Sequence, residues 1–507
     1  MSMAKAIMFQ GTSSHVGKSI LTTALCRILA QDGHKVAPFK AQNMALNSFV
    51  TKSGGEMGRA QVVQAHAAFL EPEVIMNPVL LKPTRDQASQ VIVLGKPVGN
   101  FSARDYHQGF KEKALEAITF SLSELHRRFE MLVIEGAGSP AEVNLKANDI
   151  VNMTIAKLTQ APVLLVADID RGGALASIVG TLELLEPEER DLVKGIVINK
   201  FRGDISLLEP ALTFLEQKTG KPVLGVIPYF KDFIIPEEDS VATEGMNTAK
   251  GRGPLNIAVI ALPHLSNFTD FDALALEPDV TLTYVKLNMD LGEPDLIIIP
   301  GTKNTIEDML ALEASGLAAQ IKKASEKGTP IIGICGGFQM LGQEILDPLH
   351  TEASIPRTKG LGLLDTSTTF EPTKVTTQVT AFPVGFPALE GEVRDLTGYE
   401  IHMGRTVLGP KAKPAFILKT RCDGDVNLPD GAVREDGLVW GTYMHGIFDN
   451  DDFRRFLLNQ LRQKKGLLPL LPNLTGAAQQ YEEGLNRLAE TVRTNLNMAK
   501  IYELLGV

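Results

Sequence analysis

A cysteine at the boundary between two sequence patterns is the most reactive group that the chain offers. The apolar run 331–334 stops at Cys335, two glycines follow, and a helical pattern then begins at Gln339. A strand, a tight turn and a helix would place the sulfur at the positive end of the helix, where the thiolate is favoured and free N–H groups can bind an oxyanion. Cys335 is therefore a candidate nucleophile. From these residues alone, a buried and inert cysteine stays open as the alternative.

Two other stretches could complete an acyl-transfer site around this cysteine. The apolar run 295–300 ends in a glycine turn at Gly301, which can present a backbone N–H. His445 follows the short strand pattern 440–444 and is the candidate base that activates the thiol. Because open parallel sheets gather their ligands at the carboxyl edge of the strands, we expect the three segments to meet there.

A phosphate-binding loop is predicted near the start of the chain. Residues 5–10 are typical of a strand, 11–19 of a loop and 20–30 of an apolar helix. The loop offers backbone donors, a mobile cation and a hydroxyl ligand for magnesium, which a phosphate chain requires. Position 12 carries threonine where the strict pattern has glycine, and an ordinary glycine turn is the alternative. The residues expected to bind ATP in this loop are Gly11, Thr12, Gly17, Lys18 and Ser19.

Polar residues end several further strand patterns in the N-terminal half. Glu135 lies between the apolar run 131–134 and the glycine turn 136–138, and we predict that it binds magnesium together with Ser19. The other polar strand ends are Lys40, Asp168, Asp170 and Asn199. An ordinary surface lysine and helix-capping aspartates are the alternatives for the first three of these.

The length of 507 residues is too great for one ordinary core and favours two domains of similar size. We predict an α/β protein. Residues 1–245 would form a P-loop NTPase-like parallel sheet flanked by helices, and 246–254 a linker. Residues 255–507 would form a second α/β domain that contains a β-rich portion.

Composition excludes several classes of protein. A net charge of -10 without a basic run argues against a general nucleic-acid binder. The sequence shows neither a signal peptide nor an apolar run of membrane-spanning length. Its three cysteines form neither a disulfide framework nor a zinc pattern, so we expect a reducing compartment, the cytoplasm. A homo-oligomer is left open.

The phosphate loop resembles that of dethiobiotin synthetase and its relatives, and the Cys335 segment is similar to the class I, triad-type glutamine amidotransferases. The first resemblance implies that Lys40 meets the substrate and the γ-phosphate, and that Asn199 contacts adenine. The second implies that Cys335 attacks the side-chain amide of glutamine and that His445 protonates the departing ammonia. It also implies that the oxyanion is held by the N–H groups of Gly301 and Gly336.

The whole order of motifs resembles the cobyric acid synthase family over nearly the entire chain. The most specific segments are the phosphate loop, 42–47, 58–61, 135–138 and 168–173, in this order and ahead of Cys335. The resemblance implies a step of adenosylcobalamin (vitamin B12) biosynthesis, in which ATP, Mg²⁺ and L-glutamine serve to amidate the b, d, e and g carboxylates of the corrin adenosylcobyrinic acid a,c-diamide. Each carboxylate would become an acyl phosphate, and ammonia would travel inside the protein. Phosphoryl transfer and acceptor binding would involve Lys40, Gln42, Asn43, Arg59, Asp168 and Asp170.

One departure from the amidotransferase pattern concerns the residue that orients the histidine. The usual enzymes carry a glutamate two residues beyond the histidine, and Ile447 stands there in this chain. Asp449 and Glu400 are the candidate replacements from the sequence. A Cys–His pair without its acid would turn over slowly until the partner domain closes.

Three other interpretations remain open. Cobyrinic acid a,c-diamide synthase has the same two domains and a different acceptor, and the segment 42–48 argues against it. A partitioning-type P-loop ATPase would leave Cys335, Gly301 and His445 without a role. An inactive glutaminase that serves as a scaffold would agree with Ile447.

Overall fold

The computed structural model describes residues 4–85, 88–230, 250–386, 395–471 and 476–507. The chain divides into two compact units. Unit 1 comprises Met1–Met44, Met57–Pro236 and Tyr481–Val507, and unit 2 comprises Ala45–Glu56 and Glu237–Gln480. The ranges predicted from the sequence, 1–245 and 255–507, contain no such exchange of segments. Of the predicted linker 246–254, residues 246–249 lie outside the described residues.

Unit 1 is built on a parallel sheet of six strands. Most of the strands are continuous apolar runs, as expected for a sheet that is covered on both faces. The strands are, in spatial order, Val223–Pro228, Val193–Phe201, Val163–Asp168, Lys5–Gly11, Met131–Glu135 and Val36–Phe39. The central strand Lys5–Gly11 pairs in register with both neighbours, which places Phe9 opposite Glu135 and Gly11 opposite Val166.

Helices surround this sheet, and the chain's own C-terminus supplies two of them. Leu485, Leu488 and Val492 from the C-terminal helix are fully buried in the same apolar core as Leu21 and Leu25 of the first helix. The helices of unit 1 are Lys18–Gln31, Arg59–Ala67, Ala103–Gly109, Lys111–Arg128, Met153–Thr159, Ala174–Leu184, Pro187–Leu192 and Glu209–Thr219, followed by Ala477–Asn495, which enters the unit at Tyr481, and Met498–Leu505.

Two small β structures follow the strand Val36–Phe39. A four-stranded sheet in unit 1 contains Gln42–Met44, Val79–Arg85, Ala88–Val93 and Lys96–Ser102. A two-stranded ribbon is formed by Ser48–Val50 and Glu56–Gly58.

Unit 2 contains a second six-stranded sheet, of which the first five strands are parallel. Its strands are, in spatial order, Val280–Lys286, Leu255–Ala261, Leu296–Ile299, Ile331–Ile334, Val439–Thr442 and Ala432–Val433. The main helices of the unit are Asp272–Ala275, Thr305–Ala314, Leu317–Glu326, Gly336–Leu341 and Asp451–Lys464.

The β-rich portion predicted for the second half is a largely antiparallel sheet in unit 2. Its strands are Glu344–Leu346, Arg357–Lys359, Thr366–Pro383, Leu396–Leu408, Phe416–Arg421, Gly424–Asp430 and Met444–His445. Among the described residues, no helix is both long and apolar enough to cross a membrane.

The register of the parallel strands brings the predicted site segments of unit 2 together. Ile299 lies opposite Gly333, and Ile334 lies opposite Thr442. Gly301, Cys335 and His445 therefore follow three adjacent strands at one sheet edge. The α/β fold expected from the sequence is confirmed.

Candidate active sites

Cys335 forms a strained turn between the strand Ile331–Ile334 and the helix Gly336–Leu341. Its φ is 51° and its ψ is −110°, a conformation that costs a residue with a side chain strain energy. A Cβ at Gly337 would lie 1.9 Å from the carbonyl oxygen of Ile299, so only glycine fits at that position. The turn is therefore tight, and Cys335 itself is largely buried.

His445 is held by a carboxylate that the sequence did not indicate. Its Nδ1 donates a hydrogen bond of 2.6 Å to Oδ2 of Asp270, and the N–H of Gly446 donates to Oδ1 at 3.1 Å. Both side chains are almost fully buried. Burial opposes a charge on the ring, but the carboxylate of Asp270 and its hydrogen bond outweigh burial and raise the pKa of His445 to about 10. The imidazole is therefore charged at neutral pH.

The other ring nitrogen of His445, Nε2, is the atom that can exchange a proton with the reacting groups. Nε2 is buried and makes no hydrogen bond of ordinary length with any described residue. Cys335 nevertheless lies close enough to raise the pKa of His445 further through its sulfur. Hydrogen bonds between reacting groups are often long before substrate binds. An imidazolium beside a thiol is the arrangement that donates a proton to a leaving amine.

The carboxylate that binds His445 Nδ1 is neither of the two candidates from the sequence, Asp449 and Glu400. Glu400 instead accepts hydrogen bonds from Arg421, with Nη2 at 2.8 Å, and lies 3.4 Å from Nε2 of His402. Asp449 follows Gly446 in the short helical turn Ile447–Asp449, whereas the partner of Nδ1 is Asp270. The orienting carboxylate comes from a different strand end, after Leu255–Ala261, so local spacing around the histidine could not reveal it.

The two predicted oxyanion glycines border the same pair. A Cβ at Gly301 would lie 3.2 Å from Cε1 of His445, and one at Gly336 would lie 3.1 Å from the backbone nitrogen of Thr302. The carbonyl of Gly301 accepts a hydrogen bond from the N–H of Ser266 at 2.9 Å, which fixes the turn. The structure brings both glycines to the Cys–His pair, and their role as oxyanion donors stays a prediction.

A buried polar network lies on the helix that follows the cysteine. Gln339 donates to the Tyr443 hydroxyl at 3.2 Å and accepts from the Thr305 hydroxyl at 3.1 Å. His402 stacks on Tyr443 with ring centroids 3.8 Å apart. These side chains offer hydrogen-bond donors and acceptors close to the turn at Cys335, and recognition of an amino acid substrate needs such groups.

In unit 1, the phosphate loop wraps around the lysine that the motif supplies. Gly17 has a φ of 98° at the start of the first helix. Lys18 Nζ lies 3.1 Å from the carbonyl oxygens of both Ser13 and Gly138. A Cβ at Gly11 would lie 2.9 Å from Nζ, so the glycine leaves room for the ammonium group. Thr12 belongs to the same turn, and its N–H donates to Val166 O at 2.9 Å.

Glu135 is the centre of the polar groups in unit 1. Its Oε1 accepts from the Ser19 hydroxyl at 2.8 Å and from Lys40 Nζ at 2.8 Å. Its Oε2 accepts from Gln64 Nε2 at 2.5 Å. The carboxylate is 1% exposed, so each of these contacts is made away from bulk water. Gln64 is a residue that the sequence interpretation missed.

The predicted magnesium ligands fit a partial coordination shell. The oxygens of Ser19 and Glu135 are 2.8 Å apart, and hydroxyl and carboxylate oxygens are the hard ligands that Mg²⁺ prefers. Within the described residues, no cluster of three or more His, Cys, Asp or Glu side chains could hold a metal ion. The remaining ligands would have to be water and phosphate oxygens, as is usual for Mg²⁺ bound with a nucleotide.

Asn199 and Asp168 lie opposite each other at neighbouring strand ends. Asn199 Nδ2 donates to Val16 O at 2.8 Å, and its Oδ1 is buried without a hydrogen bond among the described residues. Asp168 accepts from Lys200 Nζ at 2.8 Å, and the same ammonium group donates to His15 O at 2.6 Å. Both residues brace the phosphate loop. The adenine contact of Asn199 stays a prediction.

Three other predicted residues lie in different local environments. Asp170 is exposed and pairs with Arg202 at 2.9 Å. Asn43 is buried and donates to Gln61 Oε1 at 3.0 Å. Arg59 begins the helix Arg59–Ala67 and is half-buried. None of the hydrogen bonds described for these three involves Glu135, so a role in acceptor binding stays a prediction for them.

Gln42 faces a cavity of about 430 Å³ in unit 1. Its Oε1 accepts from the Tyr106 hydroxyl, which lines the same cavity. Gly138, whose carbonyl contacts Lys18, also lines this cavity. Other lining residues are Met44, Lys111, Lys146, Asn148 and Asn152. Gln42 therefore lines the same cavity as Gly138, whose carbonyl group contacts Lys18 of the phosphate loop.

Comparisons with known proteins agree with this division into two chemistries. Residues 7–241 match the family model described as the CobQ/CobB/MinD/ParA nucleotide binding domain, and residues 256–453 match the CobB/CobQ-like glutamine amidotransferase domain. The cobyric acid synthase of Pelotomaculum thermopropionicum is 60% identical over 100% of this chain and 97% of its own length. Those of Moorella thermoacetica and Desulforamulus reducens are 55% and 53% identical, again over 100% of this chain and over 98% and 99% of their own lengths. With this similarity running from end to end, the chain belongs to the cobyric acid synthase family.

Proposed function

We propose that this chain amidates the b, d, e and g carboxylates of the corrin adenosylcobyrinic acid a,c-diamide, with ATP as the activating substrate and glutamine as the nitrogen source. The observation that carries the proposal is that a chain of this family holds Cys335 beside the His445–Asp270 pair, and Glu135 beside Ser19 of a phosphate loop. The identity of the acceptor is supported by the similarity of the full chain to cobyric acid synthases.

Glutamine hydrolysis begins at the thiol. The Cys335 thiolate attacks the side-chain carbonyl carbon of glutamine, and the oxyanion that forms is held by N–H groups of Gly301 and Gly336. His445 gives its Nε2 proton to the leaving nitrogen, so ammonia departs and a thioester remains. Water, deprotonated by the neutral imidazole, then releases glutamate and restores the thiol. Asp270 holds the ring in the tautomer that both steps require.

Carboxylate activation takes place at the phosphate loop. An acceptor carboxylate oxygen attacks the γ-phosphorus of ATP, ADP leaves, and an acyl phosphate forms. Lys18 and Lys40 neutralise the charge that builds on the transferred group, which is mainly an electrostatic and positioning task. Ammonia then attacks the acyl carbon, inorganic phosphate leaves, and the amide is complete.

Ser19 and Glu135 are the side chains that would hold Mg²⁺, which when bound supplies further positive charge at the β- and γ-phosphates. Glu135 is prepared for this role because its carboxylate is already oriented by Gln64 and Lys40. The acceptor carboxylate would approach from the cavity beside Gly138 and Gln42. We place the reaction in the cytoplasm, where ATP and glutamine are available and the three cysteines stay free thiols.

The test uses the purified full chain with adenosylcobyrinic acid a,c-diamide, ATP, Mg²⁺ and glutamine labelled with ¹⁵N in its side-chain amide. We expect one label at each of the b, d, e and g positions of the product, with ADP and glutamate formed in equal amounts. Cobyrinic acid is offered in a parallel reaction. Amidation of its a and c carboxylates, with none on the a,c-diamide, would reject the proposed acceptor in favour of a cobyrinic acid a,c-diamide synthase.

A further inference from the structure

The segment 45–56 lies in unit 2 although both of its flanking residues, Met44 and Met57, lie in unit 1. Lys40, upstream of it, and Gln64, downstream of it, both bind the carboxylate of Glu135. The amide-rich stretch that the sequence interpretation treated as one acceptor motif is therefore divided. Gln42 stays near the phosphate loop, and the residues from Ala45 onward belong to the unit that contains the thiol.

Within unit 2, the segment binds the turn that carries the orienting carboxylate. Asn47 Oδ1 accepts a hydrogen bond from the N–H of Phe268 at 3.0 Å, and the N–H of Ser48 donates to Asn267 Oδ1 at 3.1 Å. All four residues are buried. The two hydrogen bonds are reciprocal, because the side-chain amide of each segment accepts from a backbone N–H of the other segment. Asp270 follows in the same short turn, Phe268–Phe271.

The segment also supports the histidine from its other side. The hydroxyl of Tyr399 donates to the carbonyl oxygen of Ser48 at 3.2 Å. The ring of Tyr399 stacks on the imidazole of His445, with centroids 5.2 Å apart and planes 17° apart. Both the carboxylate and the aromatic ring that fix His445 therefore rest on Asn47 and Ser48.

The turn Phe268–Phe271 needs such external support. A single turn of this kind closes few hydrogen bonds of its own and is poor at holding a fixed shape alone. Asn267, which precedes it, adopts a left-handed conformation with a φ of 52°. The far end of the 45–56 segment is held in turn by a buried ion pair between Glu56 and Lys374, at 2.5 Å.

We propose that Asn47 and Ser48 are positioning residues for glutamine hydrolysis, which act by holding the Asp270 turn and Tyr399 against His445. The inference rests on the glutaminase part of the proposed function. It extends that function by assigning the control of histidine geometry to the segment 45–56 of unit 2, which is inserted in the sequence between two parts of unit 1. Asn47 acts on His445 through its hydrogen bond to the N–H of Phe268, which belongs to the same turn as Asp270.

The main variant is Asn47→Ala in the full chain, assayed for glutamate release and, separately, for corrin amidation with an ammonium salt in place of glutamine. We expect kcat for glutamine hydrolysis to fall at least about tenfold with little change in KM, because proton transfer and not glutamine binding is disturbed. The upper pH limit of the hydrolysis should move to lower pH as His445 loses its firm carboxylate contact. Ammonia-dependent amidation should continue at the wild-type rate.

Three further variants sharpen the assignment. Asn47→Asp keeps an acceptor for the Phe268 N–H and should restore much of kcat. Tyr399→Phe keeps the ring stacked on His445 but removes the hydrogen bond to Ser48. It should lower kcat while Asn47 is unchanged, which tests the Ser48 contact independently. Thr51→Ala is the matched control, because the described hydrogen bonds of this buried hydroxyl join it to Ser53 and Gly55 within the segment. This variant should leave both activities unchanged.

Unchanged kcat and pH profile in both Asn47→Ala and Tyr399→Phe would overturn the inference. So would an equal loss of glutamine hydrolysis and ammonia-dependent amidation in both variants, since that result indicates a general folding role. The ammonia reaction also separates this inference from the proposed function. Absence of this reaction in the wild type would contradict the proposed corrin amidation. Glutamate release by Asn47→Ala tests the positioning role whether or not the corrin is amidated.

Discussion

Nδ1 of His445 donates a hydrogen bond of 2.6 Å to the carboxylate of Asp270, which lies 175 residues earlier in the chain. The contact is buried, and it raises the pKa of the histidine to about 10 against the effect of burial. A glutaminase that lacks the glutamate expected two residues after its histidine thus has an acid in the same structural role. The slow, incomplete Cys–His pair anticipated from the sequence is replaced by a complete set of three side chains.

The first prediction concerns that acid. Asp270→Asn should lower kcat for glutamine hydrolysis by about 10²–10⁴-fold, because the amide no longer holds His445 in its proton-donating form. Ammonia-dependent amidation of the corrin should be retained, as measured by chromatography of the product. Asp449→Asn removes one of the two candidate acids from the sequence and serves as the control, with hydrolysis near the wild-type rate. The reverse pattern for the two variants would contradict the assignment of Asp270.

The second prediction concerns pH. A histidine whose folded pKa is raised contributes stability that is fully present below the unfolded pKa of about 6.5 and is lost as pH rises through about 10. The difference in Tm between wild type and Asp270→Asn should therefore be largest near pH 6 and shrink toward pH 10. Differential scanning calorimetry over this range would show it. A Tm difference that stays constant between these pH values would mean that the ion pair with Asp270 is not its source.

The third prediction concerns the phosphate loop. Glu135→Gln should lower ammonia-dependent amidation by about 10²–10³-fold, because Ser19 and Lys40 lose the charge that orients them and magnesium loses a ligand. Glutamine hydrolysis, measured as glutamate release, should be much less affected. Glu130→Gln changes an exposed glutamate that precedes the same strand and is the matched control. Equal amidation rates for the two variants would remove Glu135 from the reaction.

The fourth prediction concerns the tight turn, or elbow, that Cys335, Gly336 and Gly337 form. Gly337→Ala places a Cβ 1.9 Å from a backbone oxygen of Ile299, which cannot move aside cheaply, so the free energy of unfolding should fall by about 1–3 kcal/mol or more. Gly180→Ala is the control within the helix Ala174–Leu184, where a Cβ meets nothing within 4 Å. It should raise stability by about 0.5–1 kcal/mol. Urea unfolding followed by circular dichroism measures both, and equal stability of the two variants would contradict the packing argument.

The elbow at Cys335 and the phosphate loop at Lys18 could be predicted because both depend on short-range patterns. Apolar runs of strand length, glycines at fixed offsets and a following helical period are all readable within about fifteen residues. The gathering of Gly301, Cys335 and His445 at one edge then followed from parallel strands. Each of these inferences uses only local geometry and one rule of sheet topology.

Asp270 and Gln64 could not be found in that way, because their roles arise only from tertiary contacts. The stretch around Asp270 matches no short motif, and its partner lies on a distant strand end. Gln64 lies one turn beyond the segment 58–61, whose resemblance drew attention to acceptor binding and away from Glu135. The assignment of residues 45–56 to unit 2 could not be predicted either, because the amino-acid composition does not change at Ala45.

The last helices of the chain have a consequence for synthesis. Leu485, Leu488 and Val492 complete the apolar core beneath the first helix, and Arg27 of that helix pairs with Glu482 at 2.8 Å. Until these residues have been synthesised, part of the apolar surface of unit 1 stays exposed to solvent. All residues of unit 2 precede Tyr481 in the chain, so this unit can fold first, and the apolar core of unit 1 is completed only after residues 481–505 have been synthesised.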